Sequence, residues 1–171
     1  TEGMSLNEAV TLIRGPKGSE VVLTIKRKGQ KETFKAPIVR DRIEIKAVDK
    51  VELFDDKVGY IRLNTFESQK ATRELKSAID ELKGKDMEGL VLDLRNNGGG
   101  LLRNAIQIAG LFIPRGDVVH TINREGERKT EYVYGRSQFD GPLAVLINEG
   151  SASASEILAG AIKDNDRGVL V

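Results

Sequence analysis

Two short stretches of this sequence carry residue types that can do chemistry together. The first is Asn96-Asn97-Gly98-Gly99-Gly100, close after the apolar run Leu90-Val91-Leu92-Asp93-Leu94. Consecutive glycines leave backbone N–H groups unobstructed, and such a loop ahead of a helix can hold an anion or a developing oxyanion. It can equally be a tight strand-to-helix turn that needs positive φ, and spacing alone leaves both uses open. The Gly-Lys-Ser/Thr element of a phosphate loop is absent. The second stretch is Asn148-Glu149-Gly150-Ser151-Ala152-Ser153-Ala154-Ser155-Glu156. A serine opening a helix sits beside backbone donors and the positive end of the helix dipole, a setting that suits a nucleophile. Ser153 with Glu156 is also a capping box, so that serine can be a helix cap instead. Composition does not choose among Ser151, Ser153 and Ser155.

A serine nucleophile needs a base. His120 is the single histidine, and a predicted hairpin strand suits a solvated or packed residue better than a proton carrier. A neutral lysine is the other known solution. Lys163 follows Ser153 on the same predicted helix, about 15 Å away at 1.5 Å per residue. No suitable lysine is identifiable in the chain. The absence of Cys removes thiol nucleophiles, disulfides and Cys-based zinc sites, and one His removes multi-histidine metal centres. No metal and no cofactor is expected.

The elements that position these loops read as an α/β core. Val58-Gly59-Tyr60-Ile61-Arg62-Leu63 predicts a strand, and Leu75, Ala78, Ile79 and Leu82 mark a helix ending near Gly84. Leu90 to Leu94 suits a strand covered on both faces. A helix follows with Leu101, Leu102, Ala105, Ile106, Ala109 and Phe112, then a hairpin of Val118–Asn123 and Lys129–Tyr134 around Glu125-Gly126. Leu143–Ile147 is another buried strand, before a helix from about Ala154 to Asp164 and a final strand at Gly168–Val171. This β-α-β-α-(hairpin)-β-α-β order predicts a largely parallel sheet, with both loops at carboxyl ends of strands, where ligands bind. Ahead of it, Ser5 with Glu8 is a capping box for a helix carrying Leu6, Ala9, Val10 and Ile13, stopped by Gly15-Pro16. Val21–Ile25 and Thr33-Phe34 flank a turn at Lys28-Gly29-Gln30. One helix and two short strands cannot close a core, so this is half of a small module. Arg40–Asp56 reads as a connecting strand or linker.

The chain has 171 residues, 27 Lys+Arg and 26 Asp+Glu, for a net charge of +1. That balance argues against a domain that binds nucleic acid by neutralising phosphates. Hydrophobic residues at 39% and 18 glycines are enough for a core in one domain, or in one domain plus a piece of another. No apolar run approaches the roughly 20 residues of a membrane span. There is no initiating Met, and both ends read as cut.

The first stretch, with Leu92-Asp93-Leu94-Arg95 ahead of it, resembles the Leu-Arg-Asn-Asn-x-Gly-Gly motif of the C-terminal processing peptidases, also called tail-specific proteases. The second resembles their Ser-Ala-Ser-Ala-Ser-Glu motif, and Gly3-Met4-Ser5-Leu6-Asn7-Glu8-Ala9-Val10 through Ile25 is similar to the second half of their PDZ domain. The resemblance implies a crotonase-like α/β protease core over 57–171, a partial PDZ domain over 1–36 and a connecting segment over 37–56. It implies a Ser–Lys endopeptidase acting near the C-termini of extracytoplasmic proteins, in the bacterial periplasm or envelope or in the plastid lumen. Its substrates would be proteins or peptides with apolar tails. Matched to the motif, Ser153 is the nucleophile, Gly99, Gly100 and the backbone of Ala154 form the oxyanion hole, and Glu156 and Asp164 support the site. Gly98 stands where many relatives have Pro. The start of the PDZ domain and the family's Phe-Gly-Lys-Gly element, with its general base, are missing from the chain, so this piece is expected to be inactive alone. The alternatives are a non-catalytic peptide-binding scaffold of the same lineage and, against the PDZ-like segment and the serine cluster, a crotonase-type acyl-thioester enzyme.

Overall fold

A computed structural model describes residues 3–42 and 46–171. Thr1 and Glu2 of the predicted partial PDZ domain, and residues 43–45 of the predicted connecting segment, lie outside the described residues. The chain divides into two compact units, residues 1–44 and 45–171.

The first unit holds α1 (Leu6–Ile13) and the antiparallel pair β1 (Glu20–Ile25) and β2 (Phe34–Val39). α1 starts at the expected box: Ser5 Oγ accepts the Glu8 N–H at 3.3 Å, and Glu8 Oε2 accepts the Ser5 N–H at 2.8 Å. These hydrogen bonds from Ser5 hold the Glu8 carboxyl below its ordinary value. The apolar stripe of α1 forms but buries no residue, and Leu6 is 80% exposed. Arg40 closes the helix end: its Nε donates to the Ile13 carbonyl at 2.7 Å and its Nη1 to Ser19 Oγ at 2.8 Å. That supplies a donor to one of the helix-end carbonyls that have no partner inside the helix.

The second unit is built on a five-stranded sheet of order β3-β4-β5-β8-β9. Its strands are β3 (Val48–Phe54), β4 (Val58–Leu63), β5 (Gly89–Asp93), β8 (Leu143–Leu146) and β9 (Val169–Leu170). β3 is antiparallel to β4, and the other neighbours are parallel, giving the mostly parallel α/β sheet the sequence predicts. Part of the predicted connecting segment is thus an edge strand, whose Asp49, Lys50 and Glu52 obscure its alternation. α2 (Ala71–Lys83) packs on β3 and β4, α4 (Ala154–Asp164) packs on β9, and α3 (Leu102–Ala109) packs against both helices. β6 (Arg115–Ile122) and β7 (Arg128–Tyr134) form the expected hairpin, with Gly126 at φ +85° in its turn.

Ile61, Leu63, Leu90, Leu92, Leu143 and Val145 are buried with Leu75, Ile79, Ile108, Leu158 and Ile162 of the helices. Removing such side chains from water is the main force closing this layer. Tyr60, Arg62, Val91, Ala144 and Leu146 alternate with the strand residues and are only half-buried. The expectation that the Leu90–Leu94 strand is covered on both faces is therefore corrected: among the described residues the helices cover one face. Of the apolar residues read with this helix, Leu101 and Leu102 are 42% and 40% exposed at its start: Leu101 is the N-cap, and α3 buries Asn104, Ala105, Ile108 and Ala109. No helix among the described residues is long and apolar enough to cross a membrane.

Candidate active site

β5 and β8 are parallel neighbours, so the loops that leave their carboxyl ends lie side by side. Hydrogen bonds fasten one loop to the other. Asn148 Oδ1 accepts the Asn96 N–H at 2.8 Å, while Asn148 Nδ2 donates to Asn96 Oδ1 at 3.0 Å. The carbonyl of Asn97 accepts the Ala152 N–H at 3.1 Å and the Ser155 hydroxyl at 2.8 Å. The Asn97 side chain is fully buried; its Nδ2 donates to the Leu63 carbonyl at 2.6 Å, and its Oδ1 accepts the Gly99 N–H at 2.9 Å. One asparagine thus ties the end of β4, the glycine loop and the serine loop together.

The three serines have different surroundings. Ser151 Oγ donates to the Leu94 carbonyl at 2.8 Å, and Ser155 is fully buried with its hydroxyl on Asn97. Both hydroxyls brace the loops. Ser153 is exposed, and its backbone sits at φ +54°, ψ −113°, where a residue with a Cβ is strained. An N-cap normally adopts extended dihedrals. Glu156 Oε2 accepts the Ser153 N–H at 2.6 Å and the Ser153 side chain faces the Glu156 backbone, so the capping box expected from the sequence is present. The box alone does not call for these dihedrals, so it leaves the strain unexplained.

Gly99 has φ +96°, and a Cβ built on it would stand 2.7 Å from the Ala152 carbonyl oxygen, 2.8 Å from the Ala154 nitrogen and 2.9 Å from Ser153 Cβ. Only glycine fits both the dihedral and the approach. A Cβ on Gly100, at φ +142°, would run into the backbone of Phe66 and Glu67, whereas one on Gly98 would meet nothing within 4 Å. Among the described residues the N–H groups of Gly100 and Ala154 have no hydrogen-bond acceptor, whereas that of Gly99 is held by Asn97.

Beneath the glycine loop, Asp93 is 2% exposed. Burial pushes its carboxyl up, but hydrogen bonds from the Arg95 and Tyr60 side chains and the Arg95 N–H outweigh that and bring it down to about 2. Tyr60 Oη donates to Asp93 Oδ2 at 2.6 Å; Arg95 donates through Nη2 to Oδ2 at 2.7 Å and through Nε to Oδ1 at 3.0 Å. The pairing raises the Arg95 guanidinium in turn, and burial with the Asp93 contact raises the Tyr60 phenol.

The structure brings Ser153, Ala154, Glu156, Gly99 and Gly100 to one place. It does not bring Asp164 there: that residue ends α4, exposed, about 16 Å along the helix from Ser153. Lys163 is likewise exposed near that end, and His120 Nδ1 is 2.8 Å from Thr130 Oγ1 on the hairpin. Sequence reasoning missed Asn97, Asn148, Asp93 and Tyr60. The paired Asn96-Asn97 was a signal for the first of these, because asparagine imitates backbone turns; nothing local marked the others.

Known proteins resemble the chain throughout. The model of peptidase family S41 matches residues 57–171. A carboxyl-terminal-processing protease of Synechocystis sp. is 42% identical over 175 residues, spanning 100% of this chain and 40% of the relative. A chloroplastic carboxyl-terminal-processing peptidase 2 of Arabidopsis thaliana is 38% identical, spanning 99% of this chain and 34% of the relative. Among solved structures, the photosystem II D1 C-terminal processing protease superposes with a TM-score of 0.70 at 34% identity, over 98% of this chain and 47% of that one. The chain therefore spans about two fifths, or less, of these curated relatives' lengths.

Proposed function

The chain belongs to peptidase family S41, and on that premise we propose that it forms the nucleophile-bearing part of a serine endopeptidase that trims proteins near their C-termini. Ser153 Oγ attacks the scissile carbonyl. The Ala154 N–H, without an acceptor among the described residues at the start of α4, donates to the oxyanion, with the helix dipole behind it. Gly99 contributes the absence of a side chain where the substrate carbonyl must enter, and the Gly100 N–H is the second donor without an acceptor. Glu156 holds the Ser153 backbone in its strained turn through the 2.6 Å bond. The base is the lysine that the family resemblance puts outside these 171 residues; His120 and Lys163 are carried elsewhere by the hairpin and by α4. It takes the serine proton, then returns it to the leaving amine as the acyl-enzyme forms; water completes the second half.

Substrate tails reach the core through residues 1–36, read as the second half of a PDZ module that captures extended peptides by strand addition. The enzyme acts outside the cytoplasm, on protein substrates with apolar tails. The observation that carries this reading is the contrast among the three serines: two hydroxyls are committed to backbone carbonyls, and the third is exposed on a strained backbone. A scaffold retaining Ser153 only as a cap would have no use for that strain. The test is cleavage of an unfolded reporter with an apolar tail by the full-length protein. Ser153→Ala should abolish cleavage without loss of structure, and cleavage that persists in this variant would refute the reading.

A further inference from the structure

We propose that Arg62 anchors a carboxylate-binding site on the half-buried face of the core sheet, beside the glycine loop. Strand alternation puts Arg62 on the same face as Tyr60, opposite Ile61 and Leu63. Register places it between Lys50 of β3 and Asp93 of β5. Its Nε is buried without a hydrogen-bond partner, and among the described residues the guanidinium makes no ion pair. A buried unpaired donor is costly, and arginine cannot relieve the cost by losing its proton.

The neighbouring acids cannot serve it. Asp93 already accepts four hydrogen bonds: the Arg95 N–H and Nε on Oδ1, and Tyr60 Oη and Arg95 Nη2 on Oδ2. That fills the acceptor capacity of a carboxylate. Glu52 is paired with Lys50 at 3.0 Å. Lys50, Arg62 and Arg95 against Glu52 and Asp93 leave a single positive charge in excess, and of these three cations Arg62 is the one with no acceptor among the described residues. A group with one negative charge and two coplanar oxygens satisfies both the charge and the arginine fork. A phosphate dianion would overcompensate the charge.

The location gives the site a consequence. The carbonyl of Leu63, the next residue, accepts from Asn97 Nδ2 and thereby fixes the loop that packs against Ser153. A carboxylate on Arg62 immobilises the end of β4 at that anchor. Two sources share this chemistry: the α-carboxylate of a peptide tail, which rests on the peptidase reading above, and the side-chain carboxylate of an Asp or Glu.

The test is binding, not cleavage, so its failure is distinguishable from failure of the peptidase reading. Arginine Nε–Hε resonances of the 171-residue chain are followed by NMR during titration with acetate. The titration is repeated with an N-acetylated dialanine, with its C-terminal amide, and with an amidated dipeptide ending in Asp. We expect a saturable shift of the Arg62 Nε–Hε signal with acetate and with the free acid, and binding of the amide weaker by about tenfold or more. A shift with the free acid but not the Asp dipeptide assigns the tail carboxylate; a shift with both assigns any carboxylate. Arg62→Gln should abolish the accompanying Tyr60 and Asp93 backbone shifts. Arg62→Lys, which keeps the charge and the fold but lacks the fork, should weaken them. No saturable shift at Arg62 in the folded chain, or unchanged binding in both variants, would overturn the site.

Discussion

Gly99 and Ser153 approach so closely that a methyl group on the glycine would lie 2.9 Å from the serine Cβ. Neither loop achieves this alone. The buried Asn97 sets the glycine loop through its side chain and the serine loop through its carbonyl, and Ser155 and Ala152 complete the fastening. The glycine therefore stands against the serine as well as turning the chain.

Gly99→Ala must push a Cβ against the Ala152 and Ala154 backbone at a φ of +96°. Catalysis by the full-length protein should fall by about 100-fold or more, with a stability loss of about 1–3 kcal/mol. Gly98→Ala, in open space, should leave both nearly unchanged. Steady-state kinetics with urea unfolding of both variants checks the contrast. Equal effects at the two positions would mean that the approach to Ser153 does not matter.

Replacing Ser153 by Gly removes both the hydroxyl and the backbone strain. The variant should be inactive yet more stable by about 1 kcal/mol, the relief exceeding the entropy cost of glycine. Ser155→Ala leaves the buried Asn97 carbonyl with only the Ala152 N–H and should destabilise by about 1–2 kcal/mol. Thermal denaturation of the two variants beside the native chain should move in opposite directions.

Asp93 has a folded pKa of about 2 against an ordinary value of 3.8. A depressed carboxyl contributes stability that is fully present above the unfolded value and is lost as pH falls through the folded one. The shift corresponds to about 2 kcal/mol. Asp93→Asn should therefore be less stable than the native chain at pH 7, and the part of that gap due to ionisation should shrink between about pH 4 and pH 2. Urea unfolding across this range checks it, and a gap that does not change with pH would show that the carboxylate's charge is not what is stabilised.

Much of the core was legible because its signals are local. The Ser5–Glu8 box, the apolar strands and the glycine and serine loops all lie where the residue pattern puts them. β3 was harder to read because Lys50 and Glu52 lie on the half-buried face, beside Tyr60. The cover of β5 was misread because Val91 is as apolar as Leu90, and sequence does not state which face a helix reaches. The choice among the three serines could not be made from composition, since it depends on the Leu94 and Asn97 carbonyls from a distant stretch of chain.

On the proposed Ser–Lys reading, the 171-residue chain by itself should not turn over substrate. His120 sits on the hairpin against Thr130, and Lys163 is near the far end of α4. An oxyanion hole without a base leaves at most slight activity. The chain should fail to cleave an apolar-tailed reporter at pH 8, and adding the family's lysine-bearing segment with a complete PDZ module should restore cleavage. Robust turnover by the chain alone that is lost in Ser153→Ala would mean another base acts.

The central claim is that Ser153 is the nucleophile, and covalent labelling of the full-length protein with a fluorophosphonate addresses it most directly. Peptide mapping by mass spectrometry should find the adduct on Ser153 alone, with no labelling in Ser153→Ala and unchanged labelling in Ser151→Ala. An adduct on Ser151 or Ser155, or an unlabelled Ser153 in protein that cleaves its substrate, would contradict the account.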